Sequence, residues 1–369
     1  MKITGVTQYH VSEPLAGAFR PTWIPGYPQA THEAEVFEIE TDAGITGITA
    51  SPSFAGGLEY QTPLELFLVG QDPHDIEGIL KRIESIETIG PRSRHIELAL
   101  WDIIGKDAGK PVYELLGGSS EPVRAYASTG QLLPADERIE YVQARVDEGF
   151  EGVKLRISTR EDLAVVREVR EAFPELPLMV DANKGWSISV MEETPIWTVK
   201  EAIEVARELE DIGNVRWLEE PLPRHNYEGY ARLREATDVP IAGGEFNRGE
   251  SELYEFLNHG SLDVLQPDAA LATGIRRAKE VATAARNQGV EFIPHTWTNA
   301  LGFAANLQVM VAVNGPWCEY PHDPPWTPEA WCGLIEEEFT VEDGMVHPPD
   351  APGLGVTLNR DVLETHDKP

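Results

Sequence analysis

Three short apolar segments of the chain each end in carboxylates, and these acids are the first candidates for chemistry. The segments are Val-Asp-Ala-Asn at 180–183, Leu-Glu-Glu-Pro at 218–221 and Gly-Gly-Glu at 243–245. A carboxylate at the end of a buried strand is costly unless a cation or hydrogen-bond donors compensate its charge. Because oxygen ligands favour a hard divalent ion, we expect the three segments to bind Mg²⁺, with Mn²⁺ as the second candidate.

Each acid alone could instead cap the helix that follows its strand. As a set from three successive strands, the acids are better explained as metal ligands. Asp181 and Glu245 are the candidates in the first and third segments, whereas the second offers both Glu219 and Glu220. Successive strand residues point to opposite faces, so only one of the two can face the metal. The residues alone leave that choice open.

Two cations precede the first acidic segment. Lys154 and Arg156 lie two residues apart in a short apolar strand, so their side chains project to the same side. Inside a barrel they need anions, which a substrate carboxylate and the metal ligands would supply. The alternative is a structural role, with salt bridges to Asp181 or Glu219 and no contact with substrate.

A candidate acid–base pair follows the metal segments. Asp268 and His295 end neighbouring predicted strands. A carboxylate beside one ring nitrogen fixes the tautomer and raises the basicity of the other nitrogen, which favours general-base catalysis. A histidine that is merely hydrogen-bonded is the alternative. Glu319 is expected on the last strand near the metal, with a salt bridge to Lys154 or Arg156 as its alternative role.

From about residue 123 the sequence alternates between short apolar strands and stretches with apolar residues at helical spacing. The predicted strands cover residues 123–128, 153–157, 178–180, 215–218, 240–242, 262–265 and 291–293. This alternation predicts parallel strands with crossover helices, and the number of units favours a closed (β/α) barrel. Active sites of such barrels lie at the carboxyl ends of the strands, where the candidate residues fall.

The first third of the chain predicts an α+β unit. Its expected strands cover 3–11, 35–41 and 45–49, and its expected helices cover 63–68, 76–86 and 94–105. The intervening segment 14–32 is rich in glycine, proline and aromatic residues, and we expect an ordered loop there.

Length and composition exclude several classes of protein. The chain has 369 residues, enough for a large barrel and a smaller domain. It has no apolar run of about 18 residues, so no membrane span is predicted. Its N-terminus lacks a signal-peptide core, and its two cysteines make no disulfide framework. These features predict a cytoplasmic protein.

The formal charge of −32 opposes binding to nucleic acid and to anionic membranes, so we expect neither as a partner. The acids are spread over most predicted helices, as at 201–211. A surface that is acidic throughout is typical of proteins from cytoplasms with molar KCl and predicts a halophilic protein. The alternative is an acidic interaction surface for a specific partner.

Taken together, the motifs resemble the enolase superfamily, mandelate racemase subgroup, over nearly the whole chain. The matching motifs are Leu-Ala-Leu-Trp-Asp-Ile at 98–103, Leu-Leu-Gly-Gly at 115–118, the three acidic segments, Gln-Pro-Asp at 266–268, Pro-His at 294–295 and Cys-Glu-Tyr at 318–320. The resemblance implies an α/β fold: a modified TIM barrel, (β/α)7β, with an N-terminal α+β capping domain. The implied domains are 1–120 for the cap, 121–345 for the barrel and 346–369 for a C-terminal segment packing back on the cap.

The resemblance also assigns roles. It implies one Mg²⁺ on Asp181, Glu219 and Glu245, a base dyad of Asp268 and His295, and a hydrogen bond from Glu319 to the substrate carboxylate. Asn183 would contact substrate, and Trp297 and His32 are further candidates for the pocket. Segments 14–32 and 51–57 would cover the site and choose the substrate. Homo-oligomers are usual in this family, so one is expected here.

One position departs from the family pattern. Members able to racemise usually carry Lys-x-Lys on the second barrel strand, whereas this chain has Arg156 at the second lysine. Arginine stays protonated and is a poor base but a good anion clamp. Two-base racemisation is therefore disfavoured, although Lys154 remains available as an electrostatic partner or as a base.

The function implied is Mg²⁺-dependent removal of the proton α to a carboxylate, through an enediolate. The leading hypothesis is a lyase that dehydrates a small-molecule sugar acid to a 2-keto-3-deoxy acid. The alternative is an isomerase, namely a cycloisomerase, epimerase or racemase, that acts on a sugar acid, lactone or other 2-hydroxy acid. A third hypothesis, a metal-free binding protein, conflicts with the complete set of ligands.

Overall fold

The computed structural model describes residues 1–52, 64–87, 93–189 and 191–366. The strands are β1 Ile3–Phe19, β2 Gln29–Thr41, β3 Thr46–Pro52, β4 Val123–Ser128, β5 Val153–Arg156, β6 Leu178–Asp181, β7 Val215–Glu219, β8 Ile241–Gly243, β9 Val264–Leu265, β10 Glu291–Phe292, β11 Cys318–Pro321, β12 Val341–Glu342 and β13 Met345–Val346. The helices are α1 Glu65–Leu68, α2 Ile76–Glu87, α3 Ile96–Ala108, α4 Val112–Leu115, α5 Ala135–Asp147, α6 Leu163–Ala172, α7 Val199–Ile212, α8 Tyr227–Ala236, α9 Gly249–His259, α10 Ile275–Asn287, α11 Ala300–Val313, α12 Pro328–Cys332 and α13 Arg360–His366.

The N-terminal unit is an antiparallel sheet in the order β1-β2-β3, with α1, α2 and α3 packed beside it. The prediction of a loop over 14–32 was wrong at both ends of that segment, which belong to β1 and β2. The β1–β2 ladder continues to Pro14 opposite Thr31 and, after a register shift, to Phe19 opposite Gln29. β1 lies at the edge of the sheet, where a proline such as Pro14 is tolerated more readily than in a central strand.

Eight strands form the barrel. Strands β4 to β10 are parallel in chain order, and β11 pairs in parallel with β4, which brings the last strand beside the first. One helix, from α5 to α11, connects each successive pair of these strands. This arrangement confirms the predicted (β/α)7β barrel with an α+β unit before it. A short hairpin of β12 and β13, which the sequence analysis did not predict, pairs antiparallel with β4.

Helix α11 is buried along its whole length, in accord with a sequence that is apolar on every side. Its Gln308 joins three parts of the molecule. The Gln308 Oε1 accepts a hydrogen bond from Tyr113 N at 2.6 Å, and the Nε2 donates to Leu354 O at 3.2 Å.

The C-terminal residues contact the N-terminal unit. The buried carboxylate of Asp102 accepts hydrogen bonds from Leu354 N at 2.9 Å and from Ile48 N at 3.0 Å. Arg360 of α13 forms an ion pair with Glu38 of β2 at 2.5 Å. The domain bounds 1–120, 121–345 and 346–369, which were inferred from the sequence, stay a prediction. Within the described part of the chain, no helix has the length and apolar character needed to cross a membrane.

Candidate active site

The three predicted metal ligands converge at the carboxyl ends of β6, β7 and β8. In the sheet register, Asp181 lies opposite Glu219, and Glu219 lies opposite Ala242. Each of Asp181, Glu219 and Glu245 offers one oxygen that lies within 4.8 Å of the others, and all three side chains are buried. Gly244 lies between the end of β8 and Glu245. Its φ is +117°, a backbone conformation that glycine adopts without strain.

The chemistry of this donor set fits Mg²⁺. Three buried carboxylates offer only oxygen, and a divalent cation among them would offset their mutual repulsion. Burial raises the pKa of Asp181 to about 7 although Arg156 opposes the shift, and burial also raises the pKa of Glu245. Asp181 and Glu245 therefore lack full compensation from the protein alone, whereas Lys154 lowers the pKa of Glu219 despite its burial.

Of the two competing glutamates, Glu219 joins the cluster and Glu220 does not. Glu220 has φ +44° and is buried against Gly185, where an added Cβ would lie 2.4 Å from the Glu220 carboxyl group. Both Glu220 carboxyl oxygens are without a hydrogen-bond partner among the described residues. Burial, followed by the charge of Glu245, raises its pKa well above the usual value.

Lys154 and Arg156 contact the metal ligands directly. The Lys154 Nζ lies 2.7 Å from Glu219 Oε1, 3.6 Å from Asp181 Oδ2 and 2.6 Å from Glu319 Oε1. Arg156 pairs with Asp181 and donates a hydrogen bond to Asn183 Oδ1 at 2.9 Å. These contacts match the alternative of salt bridges, and only Arg156 also lines the cavity described below.

His295 and Asp268, the expected acid–base dyad, contact each other. His295 Nδ1 lies 3.0 Å from Asp268 Oδ2, and His295 Nε2 lies 3.5 Å from Glu245 Oε2. Asp268 Oδ1 accepts hydrogen bonds from Ala270 N at 2.7 Å and from Asn306 Nδ2 at 3.1 Å, which fix the carboxylate. Burial alone would lower the pKa of His295, but the nearby carboxylates, Glu245 foremost, raise it to about 9 as long as no cation offsets the charge of Glu245.

Both carboxylate oxygens of Glu319 have partners within the protein. Its Oε1 accepts from Ser128 Oγ at 2.7 Å and pairs with Lys154, and its Oε2 accepts from Thr296 N at 2.9 Å. Burial opposes ionisation, yet Lys154, His295 and the hydrogen bond from Ser128 lower the pKa of Glu319 to about 2. An ionised carboxylate accepts hydrogen bonds and donates none, so a hydrogen bond from Glu319 to a substrate carboxylate stays a prediction without support from these contacts.

A cavity of about 410 Å³ opens over the dyad and the ligand cluster. Its lining includes Arg156, Asn183, Glu245 and His295, which were predicted as site residues. Trp297 and His32, the further candidates for the pocket, also line it, as do Trp23 and Tyr27 of segment 14–32, which was expected to cover the site. The remaining candidates Asp181, Glu219, Lys154, Asp268 and Glu319 are not among its described lining residues. Most of segment 51–57 lies outside the described residues.

Aromatic rings form one wall of the cavity. The Trp297 ring lies 5.2 Å from Trp23 and 5.9 Å from Trp326, and its Nε1 donates to Ser128 Oγ at 2.7 Å. The Arg156 guanidinium lies 5.2 Å from the Trp23 ring centroid. This packing fixes both the guanidinium and the aromatic wall.

Sequence reasoning missed two contacts at the site. Trp186 Nε1 donates to Glu245 Oε1 at 2.5 Å, and Thr22 Oγ1 donates to Asn183 Oδ1 at 2.6 Å. Trp186 lies shortly after the first acidic segment, and this closeness in sequence could have indicated a place near the site. Thr22 comes from the N-terminal unit, so only the fold reveals its contact. Lys184, next to Asn183, donates a hydrogen bond to Ser158 O at 2.8 Å and is not among the described lining residues.

Family models match both parts of the chain. Residues 137–362 match the enolase C-terminal domain-like family, and residues 18–117 match the N-terminal domain of mandelate racemase and muconate lactonizing enzyme. The chain belongs to the enolase superfamily. The superfamily resemblance inferred from the motifs is thereby confirmed.

Several superfamily members with named activities are similar to this chain. D-galactarolactone cycloisomerase of Agrobacterium fabrum is 33% identical, and the match covers 98% of both chains. Arabinonate dehydratase of Saccharolobus solfataricus is 31% identical, with 93% of both chains covered. The structure of L-talarate dehydratase from a Polaromonas species, in complex with Mg and L-glucarate, has a TM-score of 0.83 and 28% identity over 100% of this chain and 98% of that one.

Proposed function

We propose that this protein is a Mg²⁺-dependent lyase that removes water from a sugar acid to give a 2-keto-3-deoxy acid. The observation that carries the proposal is the placement of the His295–Asp268 dyad beside the Asp181, Glu219 and Glu245 cluster, with His295 and Glu245 lining one cavity. Similarity to sugar-acid dehydratases supports the choice of reaction.

The metal would be held by Asp181, Glu219 and Glu245. When bound, Mg²⁺ supplies positive charge that stabilises the negative charge developing on a substrate carboxylate. Mn²⁺ is the second candidate for the same ligands.

His295 is the residue that moves protons in the proposed reaction. Its Nδ1 is held by Asp268, so Nε2 faces the cavity side of the ring near Glu245. Nε2 accepts the α-proton, the carbon–oxygen bond at the β-carbon breaks, and the hydroxyl leaves as water with a proton returned from the imidazolium. The resulting enol tautomerises to the 2-keto-3-deoxy acid.

The other site residues have supporting roles in the proposal. Arg156 and Lys154 balance the charge of the ligands, and Arg156 also meets the substrate from the cavity wall. Asn183, Trp297 and His32 contact the substrate, and Glu319 orients Lys154 and the backbone next to His295. Arg156 stands where a second base would be needed and stays protonated. In the proposed reaction, protons are therefore transferred on only one face of the substrate.

The proposal is tested with a panel of sugar acids and Mg²⁺, assayed for 2-keto-3-deoxy products. We expect at least one substrate to give such a product, and we expect EDTA to abolish its formation. Isomerisation of a panel member without loss of water would reject the dehydratase assignment.

An isomerase is the second candidate, favoured by the similarity to D-galactarolactone cycloisomerase. Both reactions begin with the same α-proton transfer, so the site alone accommodates either. Solvent deuterium that enters the α-carbon of a product without loss of water identifies the isomerase.

The proposed setting is the cytoplasm of a halophilic organism, with the chain as a homo-oligomer and without nucleic acid or membrane as partners. The formal charge of −32 supports the halophilic assignment and opposes polyanionic partners. The proposed domains are 1–120, 121–345 and 346–369, in support of which the C-terminal residues contact Asp102 and Glu38.

A further inference from the structure

The three proposed metal ligands differ in how the protein holds their carboxylates. Glu219 accepts hydrogen bonds from Lys154 Nζ at 2.7 Å and from Trp217 Nε1 at 2.9 Å. Asp181 forms an ion pair with Arg156. Asp181 and Glu219 are also the last residues of β6 and β7, so the strands themselves place them. Two of the ligands are thus positioned by a strand and held by a cationic side chain.

Glu245 has neither of these supports. β8 ends at Gly243, so Glu245 lies two residues beyond its strand. Within the described part of the chain, no lysine or arginine forms an ion pair with it, and its carboxylate accepts one hydrogen bond, from Trp186 Nε1 to Oε1 at 2.5 Å. His295 Nε2 lies farther away, 3.5 Å from Oε2. The orientation of the Glu245 carboxylate therefore depends on an uncharged donor.

The indole of Trp186 is itself held in place. Two residues later, Ile188 N donates a hydrogen bond to Trp23 O at 2.8 Å, which ties this segment to the β1–β2 turn. The Trp186 ring centroid lies 4.1 Å from that of Phe246, the residue that directly follows Glu245. The ring thus packs against the same turn that carries the carboxylate it binds.

An indole N–H suits this position chemically. It donates a hydrogen bond and cannot accept one, so it does not compete with the carboxylate for a cation. It also carries no charge, so the full negative charge of Glu245 stays available to a divalent ion. Removing a side chain that orients a metal-binding residue typically lowers metal affinity by roughly 10- to 100-fold.

The same hydrogen bond affects the proposed base. Oε1 of Glu245 is bound by Trp186, and Oε2 faces His295. A carboxylate free to rotate could move closer to the imidazole and away from the ligand cluster, since opposite charges attract strongly in a buried site. The hydrogen bond at Oε1 opposes this rotation.

We propose that Trp186 is a positioning residue of the metal site: its N–H holds the Glu245 carboxylate in the orientation that binds Mg²⁺ and leaves His295 Nε2 free for substrate. The inference rests on the proposed function, because it takes Glu245 as a ligand of Mg²⁺. The alternative is that Trp186 is only a part of the aromatic cavity wall, since it also lines the cavity.

Titration calorimetry with Mg²⁺ tests the proposal. Trp186→Phe removes the N–H and keeps an aromatic ring, and we expect the Mg²⁺ affinity to fall about tenfold. Trp326→Phe is the matched control, because Trp326 lines the same cavity and its Nε1 has no hydrogen-bond partner among the described residues. This control variant should bind Mg²⁺ as tightly as the wild type.

Trp186→His is the conservative variant. When an imidazole is superposed on the five-membered ring of an indole, its Nε2 takes the place of the indole Nε1 and can donate the same hydrogen bond. We expect Trp186→His to bind Mg²⁺ several-fold more tightly than Trp186→Phe. A role in the cavity wall alone predicts no such advantage, because histidine replaces less of the ring surface than phenylalanine does. Trp186 is only half-buried, so both variants should fold, and circular dichroism verifies this.

The outcomes separate the inference from the proposed function. Equal Mg²⁺ affinity in the wild type and in Trp186→Phe overturns the role of Trp186 and leaves the metal site and the dehydratase proposal standing. Weaker binding by Trp186→His than by Trp186→Phe, or an equal loss in Trp326→Phe, also contradicts the inference. A wild-type protein that binds no Mg²⁺ overturns the proposed function and the inference with it.

Discussion

At the scale of single residues, the convergence of the proposed metal ligands and of the proposed dyad was predictable from the residue types and from their place at strand ends. Asp181, Glu219 and Glu245 converge, and Asp268 reaches His295. The choice of Glu219 over Glu220 could not be made from alternation alone, because that choice depends on which strand face is the inner one. The engagement of Glu319 by Lys154 and Ser128 was also beyond the sequence, since it requires the geometry of three strands.

His295→Asn tests the proposed proton acceptor. Asparagine keeps much of the side chain's polarity but cannot accept the proton, so kcat should fall by roughly 10²- to 10⁴-fold. The measurement is α-proton exchange with solvent deuterium, followed by nuclear magnetic resonance. His347→Asn, at an exposed position outside the site, is the matched control and should leave the rate unchanged. Exchange at the wild-type rate in His295→Asn would show that another group is the base.

At the scale of elements, the barrel strands were predicted to within about two residues because their apolar runs are short and end in polar residues. The extension of β1 to Phe19 was missed, since its ladder with β2 passes through a segment rich in glycine and proline. The β12–β13 hairpin was missed because each of its strands has 2 residues, and its partner β4 is distant in sequence. Neither element carries a clear local pattern.

The junction between α3 and α10 should make stability depend on pH. Glu97 is buried there and accepts hydrogen bonds from Arg276 N at 2.8 Å and Trp101 Nε1 at 3.0 Å. Burial nevertheless raises the pKa of Glu97 to about 7. The folded state therefore holds this proton more tightly than the unfolded chain, and the stabilisation present at acidic pH is lost as the pH rises through 7.

Glu97→Gln should remove this dependence. Relative to the wild type, the variant should gain free energy of unfolding on the order of 2 kcal/mol between pH 5 and pH 8. Chemical denaturation at both pH values measures the difference, and Glu171→Gln, at an exposed position on α6, serves as control. A difference between variant and wild type that is the same at both pH values would contradict this account of Glu97.

At the scale of the whole molecule, the charge of −32 should make folding depend on salt. Pairs such as Arg160 with Glu204 and Arg167 with Glu208 neutralise a few of the surface acids, but acids outnumber bases by 62 to 30. Screening by salt reduces the remaining repulsion, so stability should increase with ionic strength.

Thermal unfolding measures this effect. We expect the midpoint to rise by roughly ten degrees between 0.1 and 2 M KCl, which corresponds to a few kcal/mol for a chain of this size. Sucrose, which is uncharged, is the control and should raise the midpoint less. A midpoint that does not depend on KCl would contradict the halophilic assignment.

The central claim is that Asp181, Glu219 and Glu245 hold one divalent ion beside the dyad, and titration calorimetry with Mg²⁺ tests it most directly. The wild-type protein should bind one Mg²⁺ per chain. Glu219→Gln should weaken binding at least tenfold, whereas Glu220→Gln, the same substitution one residue away, should retain it. Unchanged binding in Glu219→Gln, or loss confined to Glu220→Gln, would contradict the account.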